Sequence, residues 1–400
     1  MSEPDTDIEQ VKNAAIENIR KSALPNSANN SVQVNSLKPF MTKNKNRLYN
    51  DSDSDKDLIL YHLKKRAEQV SVCPETVIST GKNLLYYSLF YSTDYVNLLE
   101  VSLASIVKNT PTINFDLLII TDAETKTFIE KLPSIKNFNV DYLVINSVES
   151  APLASINKLE IFNYPRINEY EKVLFLDADT VCIKDLNILF SKQLILGKLY
   201  ISFTPNHLSP RLLSPTHGMM YLTKEDAEFL YENTTATPFN AGQFMFVNSA
   251  RMKKHFENVK WLQLAWTGEY FYEQGFMNYY FVFNQLTKPL VDTNGDQLIV
   301  VTYNPAKPDT ADFIQSAVAD EIIKKNSVGR KSLLVVTGAT KSNFSKDETF
   351  KRMVERGMIE DTTKLHNDST VVIHFAATLP SGKTKKEFIN SYANANQLHI

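Results

Sequence analysis

Asp177 and Asp179 stand two positions apart where the apolar run 173–176 stops. A short apolar run that ends in this way has the pattern of a buried strand. If the backbone stays extended through Ala178, both carboxylates leave the same face. Carboxylates held that close repel each other, and a bound divalent cation is the usual relief. Such a cation can in turn grip a diphosphate. Taken alone, the same residues also fit a surface turn that happens to hold two Asp.

The elements that must position this pair can be read on either side of it. A strand is expected over 84–90, then an amphipathic helix over 95–108 with Leu98, Val101, Leu103 and Ile106 facing the core. Further strands are expected over 115–120 and 140–145, with a helix over 124–131 between them and a short helix over 156–163 before the strand at 173–176. Strands alternating with helices point to an α/β sheet that binds its ligand at the carboxyl ends of its strands. The Asp pair lies at such an end. Ahead of this region, residues 1–80 are rich in Ser, Asn, Asp and Lys and include the acidic run 51–55. They read as a polar arm, disordered or at most forming short helices such as 58–69. A chain starting near Gly81 is therefore expected to fold.

Composition narrows the class. The chain has 400 residues, 43% of them hydrophobic, which is ample for a core. A formal net charge of -2 gives no electrostatic case for nucleic acid or an anionic membrane as partner. The two cysteines, Cys73 and Cys182, are too few for a disulfide framework. No apolar run reaches the ~20 residues that span a bilayer. The N-terminus is polar and acidic, unlike a signal peptide. A cytoplasmic enzyme is expected.

No Gly-rich phosphate loop follows the first strand, neither G-x-G-x-x-G nor the Walker pattern. The chain has only 11 glycines, so backbone amides are not expected to be the main grip on a phosphate. The segment found there, Tyr91-Ser92-Thr93-Asp94-Tyr95, offers an aromatic face and small polar groups. It serves equally well as a helix N-cap.

In order, these segments resemble the family 8 retaining glycosyltransferases, the family of glycogenin and of bacterial lipopolysaccharide galactosyltransferases. The likeness covers about residues 83–390. It implies a GT-A type nucleotide-binding fold with a mixed, mostly parallel central sheet, in a glycosyltransferase domain at 81–390. It implies that Tyr91, Thr93, Asp94 and Tyr95 border the uridine, and that Lys158 approaches the donor sugar or phosphate. The family's D-x-D becomes Asp177 and Asp179, with Ala178 between them lining the donor. Its Asn-x-Gly segment becomes Asn240 and Gly242, and its Asp-Gln-Gly segment becomes Glu273 and Gln274, the implied catalytic residues, placed against the sugar with Gln274 near the anomeric carbon. The late metal-ligand His becomes His374. By this likeness the metal ligands are Asp177, Asp179 and His374, the ion is Mn²⁺ with Mg²⁺ as second choice, and the donor is a UDP-sugar. A homodimer is left open, and the acceptor is unnamed.

The departures are specific. Glu273 stands where the family has Asp, which adds a methylene where sugar hydroxyls are contacted. The family's Lys-Pro-Trp segment is missing after His374, leaving Lys383 as the candidate that touches the diphosphate. Two other readings stay open at this point. The segment 177–181 also satisfies D-x-D-x-[TV] of haloacid-dehalogenase-like phosphatases, with Asp177 as nucleophile. A protein that binds nucleotide sugar without turnover, as a scaffold, is the other.

Overall fold

The computed structural model describes residues 62–63, 65–70, 80–90, 93–146, 151–203, 239–265, 273–303, 334–337, 359–362, 368–376 and 385–395. Its strands are β1 (Asn83–Leu89), β2 (Asp116–Thr121), β3 (Val140–Val144), β4 (Lys172–Leu176), β5 (Thr180–Cys182), β6 (Leu199–Phe203), β7 (Phe239–Val247), β8 (Thr287–Pro289), β9 (Ile299–Tyr303), β10 (Leu334–Thr337), β11 (Ile359–Thr362) and β12 (Val372–Ala376). Its helices are α1 (Thr93–Asn109), α2 (Ala123–Ile129), α3 (Ala151–Ile156), α4 (Asn187–Phe190), α5 (Ala250–Ala265), α6 (Glu273–Phe283) and α7 (Lys385–Ala395). The expected helix over 156–163 is a 3₁₀ segment, Asn157–Asn163. Among the described residues no helix is long and apolar enough to cross a membrane.

Seven strands form the central sheet in the order β3-β2-β1-β4-β7-β6-β8. The first four are mutually parallel, and β7 runs antiparallel to both β4 and β6. Parallel strands are covered on both faces, which is why β1, β2 and β4 read as nearly unbroken apolar runs. The strand period of two divides their side chains between two cores. Tyr86, Leu118, Ile120, Val173 and Phe175 face a core shared with Met252, Phe256 and Val259 of α5 and with Phe276 and Tyr280 of α6. Leu85, Tyr87, Leu117, Ile119 and Leu174 face the other core, shared with Leu99, Leu103 and Ile106 of α1.

A second sheet, β5-β12-β9, closes that other face and has no counterpart in the sequence expectations. Its middle strand β12 pairs antiparallel with β5, setting His374 opposite Thr180, and parallel with β9. The chain leaves β4 at Leu176, turns through Asp177 and Asp179, and enters β5 within a few residues. The carboxyl end of β4 is thus tied to the strand that carries His374.

Within the arm expected over residues 1–80, the described residues 62–63 and 65–70 are helical. Leu63 and Val70 are buried, and Leu63 belongs to the core built on α5 and α6. The Arg66 guanidinium lies 5.1 Å from the Trp261 ring centroid, and its Nε donates to Asn258 Oδ1 at 3.0 Å. The polar composition of the arm conceals two apolar anchors seven residues apart, one face of a helix. The compact unit that holds the described residues runs from Lys56 to Ile400. The rest of the arm lies outside the described residues. Removing everything before Gly81 is therefore expected to cost at most roughly 4–7 kcal/mol, from two buried aliphatic side chains and a part-buried hydrogen bond. Urea unfolding of the full and shortened chains measures this; equal midpoints would restore the boundary near residue 80.

Asn258 continues into a buried polar group beneath α5. Its Nδ2 donates to Tyr280 Oη, which also lies 2.9 Å from His255 Nδ1. Burial, with Arg251 and Lys198 adding to it, pushes the His255 imidazole down to about 4. The unfolded chain, with an ordinary value near ~6.5, then binds the extra proton between these two pH values. This contribution is complete above pH ~6.5 and disappears as pH falls toward 4, amounting to about 3 kcal/mol at most. Stability should rise with pH across that window, and the slope should shrink in His255→Phe.

Candidate active site

Asp177, Asp179 and His374 converge at the carboxyl end of β4, where one ligand atom from each lies within 4.8 Å of the others. His374 Nε2 is 3.0 Å from Asp179 Oδ1 and 3.8 Å from Asp177 Oδ2. His374 and Asp179 are buried, whereas the Asp177 side chain is about a third exposed. Backbone bonds set this geometry. Asp177 N donates to Gly242 O at 2.7 Å, and Phe375 N donates to Asp179 O at 2.9 Å. Thr180 Oγ1 donates to Asp177 O at 2.9 Å and lies 3.0 Å from Ser102 Oγ, which in turn is 2.8 Å from Tyr87 Oη. This buried chain of hydroxyls fixes the turn between the two carboxylates from below.

Gly242 is required for steric reasons. A Cβ built there would lie 2.1 Å from His374 Cε1 and 2.5 Å from Asp177 Oδ2. Its backbone has no positive φ, so the glycine serves close approach rather than an unusual conformation. Asn240 Oδ1 accepts from Gly242 N at 2.7 Å, and Gln274 Oε1 accepts from Ala241 N at 3.1 Å. Asn278 clasps β7 from α6: its Oδ1 accepts from Phe239 N, and its Nδ2 donates to Phe239 O, both at 2.8 Å. The Asn-x-Gly and Glu-Gln-Gly segments are therefore hydrogen-bonded to one another behind the carboxylates.

Lys158 is the cation at the centre of this assembly, not a solvated helix residue. Its ammonium is 2.6 Å from Glu273 Oε1, 3.4 Å from Asp177 Oδ1, and donates to Ala241 O at 3.1 Å. It also lies 4.6 Å from the Phe175 ring centroid. Burial works against this charge, but Asp177 and Glu273 more than offset it and leave the Lys158 pKa above the ordinary lysine value. The second oxygen of Glu273, Oε2, is buried with no hydrogen-bond partner. The longer side chain is thus accounted for by its reach to Lys158.

Lys385 is a residue that sequence reasoning misses. It opens α7, and its ammonium forms an ion pair with Asp179 Oδ2. Burial alone would raise the Asp179 carboxyl, but His374 and Lys385 reverse this and hold it well below the usual carboxylate range. A lone Lys at the start of a polar helix gives no signal in sequence. Lys383, the candidate in its place, lies outside the described residues, as does Tyr91. Thr93 begins α1, with Asp94 and Tyr95 exposed on its first turn. Ala178 is buried between the two carboxylates.

A family model, Glycosyl transferase family 8, matches residues 87–290. The chain belongs to that family and is a glycosyltransferase with a mixed, mostly parallel α/β fold of the GT-A type. The matched range holds Lys158, the Asp pair, Asn240, Gly242, Glu273 and Gln274 but stops short of His374. Among solved structures, the galactosyltransferase LgtC in complex with donor and acceptor sugar analogs is similar at 13% identity and a TM-score of 0.43, covering 80% of this chain and 96% of that one. The bifunctional glycosyltransferase WbbM is similar at 15% identity and a TM-score of 0.43, covering 81% of this chain and 50% of that one. No curated protein matches the chain.

Proposed function

We propose that this glycosyltransferase moves a hexose from a UDP-sugar to a hydroxyl acceptor with retention of configuration, using a divalent cation, Mn²⁺ ahead of Mg²⁺. The acceptor class, whether glycan, protein or the chain itself, is left open. The observation that carries the reading is the convergence of two carboxylates and His374 Nε2 at a strand end, over a glycine that leaves them room. Two oxygens and one imidazole nitrogen suit a hard-to-borderline ion. His374 Nε2 and the buried Asp179 Oδ1 face each other at 3.0 Å, an approach that suits two atoms directed at one ion. A cation bound there would neutralise the charge that grows on the departing diphosphate.

The remaining residues bind and orient. Uridine would lie along the segment 91–95 at the end of β1, with the sugar against β7 and the start of α6. Asn240 and Gln274 brace the β7 backbone beside it, and Glu273 Oε2 would accept from a sugar hydroxyl. Because Lys158 holds Glu273 Oε1 at 2.6 Å, this carboxylate is a poor nucleophile. We therefore favour attack on the same face, with the leaving phosphate oxygen taking the acceptor's proton, over a covalent glycosyl-enzyme. The domain that does this extends across 81–390 together with the helix at 65–70.

A panel of UDP-sugars with Mn²⁺, scored for donor hydrolysis without acceptor, tests the reading. One donor should be hydrolysed in a metal-dependent way. His374→Ala should weaken Mn²⁺ binding in the presence of UDP at least about tenfold while leaving a folded protein. Phosphate release from simple phosphomonoesters without use of any UDP-sugar would favour the phosphatase reading. Binding of UDP-sugar without hydrolysis or transfer would favour the scaffold.

A further inference from the structure

Lys385 bears on how the carboxylate pair takes up its cation, a role that rests on the proposed metal site. Three observations concern it. Its ammonium is paired with Asp179 Oδ2, the oxygen beside the one that faces His374. It stands in the first turn of α7, where the unsatisfied N–H groups of a helix disfavour a cation, so the attraction comes from Asp179 and not from its own helix. Its side chain remains 22% exposed, and α7 itself is anchored elsewhere, through buried Ile389 and Ala393 packed toward α1. The ammonium can therefore leave Asp179 without α7 moving.

Charge decides what its presence does. Within the cluster, the carboxylates of Asp177, Asp179 and Glu273 face the ammonium groups of Lys158 and Lys385. That leaves a single net negative charge to attract a divalent ion. A cation on Asp179 Oδ1 would lie within a few ångströms of the Lys385 ammonium, and at that range like charges in a partly buried site repel strongly. Metal binding is thus opposed for as long as Lys385 holds Asp179. A diphosphate restores the balance, because it adds negative charge beside both the metal and the released ammonium.

We propose that Lys385 is a built-in counter-ion that occupies Asp179 until an anionic donor arrives, so that metal uptake depends on the nucleotide diphosphate. Lys158 does not do this job, because it is buried and committed to Glu273 and Ala241. Lys385 acts through Asp179 and is a positioning residue.

Calorimetry with Mn²⁺ alone and with Mn²⁺ in the presence of UDP tests this on the full chain. Lys385→Met should bind Mn²⁺ alone about tenfold more tightly than wild type, the size expected for removing a partly buried competing ion pair. The gain that UDP gives to Mn²⁺ affinity should shrink by a similar factor. Lys385→Arg should behave like wild type, and Lys386→Met, an exposed neighbour on the same turn, should change neither value. A second readout needs no variant. Reductive methylation of Lys385, followed by mass spectrometry, should speed up only at Mn²⁺ concentrations high enough to fill the site without nucleotide, and slow again when UDP is added after it. Equal or weaker Mn²⁺ binding by Lys385→Met, or labelling indifferent to saturating Mn²⁺, overturns the counter-ion role. If wild type takes up no Mn²⁺ with or without UDP, the metal site itself falls and the inference with it.

Discussion

Gly242→Ala should lose at least ~100-fold in metal-dependent donor hydrolysis, the penalty typical of displacing reacting groups by about an ångström. One methyl group produces this effect because it has nowhere to go. The new Cβ would lie 2.1 Å from His374 Cε1, 2.5 Å from Asp177 Oδ2 and 2.7 Å from His374 Nε2. His374 cannot swing aside easily, since β12 is the middle strand of its sheet and the ring is buried. Asp177 is held by its own N–H on Gly242 O. Overpacking of this kind usually costs about 1–3 kcal/mol of stability, so urea unfolding should show a folded but weakened protein. Adding His374→Ala to Gly242→Ala removes most of the clash. That pair should recover stability without recovering hydrolysis. Full activity in Gly242→Ala would mean that His374 and Asp177 do not crowd around this glycine.

What the sequence reveals about this site depends on chain distance. The Asp pair is legible because both its residues and the strand that presents them are local, and alternation of buried strand and helix places it at a carboxyl end. His374 is legible only through resemblance. Its approach to Asp179 depends on β12 pairing with β5, a contact between strands far apart in the chain, and no local pattern encodes it. Lys158 shows the opposite problem. Its position is recognisable, but a lysine on a short helix reads equally well as solvated, whereas the fold buries it between Glu273 and Asp177. Leu63 and Val70 are hidden by the polar average of the arm around them. Two apolar anchors two helical turns apart are too few to shift a composition reading, yet enough to join the core.

The Lys158–Glu273 pair sets the second large effect. Both side chains are only 6% exposed and their charged atoms are 2.6 Å apart. Taking one partner from a buried ion pair strands the other charge, a loss of about 3–5 kcal/mol. Lys158→Met should therefore lower the urea midpoint strongly at an unchanged slope, because it leaves Glu273 and part of Asp177 facing no cation. Glu273→Gln should cost less, since Lys158 keeps Asp177 at 3.4 Å and Ala241 O at 3.1 Å. Lys158→Met with Glu273→Met should be more stable than Lys158→Met alone, since apolar groups of similar volume can replace a buried pair with little loss. Hydrolysis should not return in that double variant. Lys158 also fixes Asp177 and the Ala241 carbonyl, so a methionine there fills the space without holding the Asp177 carboxylate or the β7 backbone in place. Stability regained without turnover would separate the pair's contribution to the fold from its contribution to the site. A loss below about 1 kcal/mol in Lys158→Met would instead place the pair among solvent-screened surface bridges.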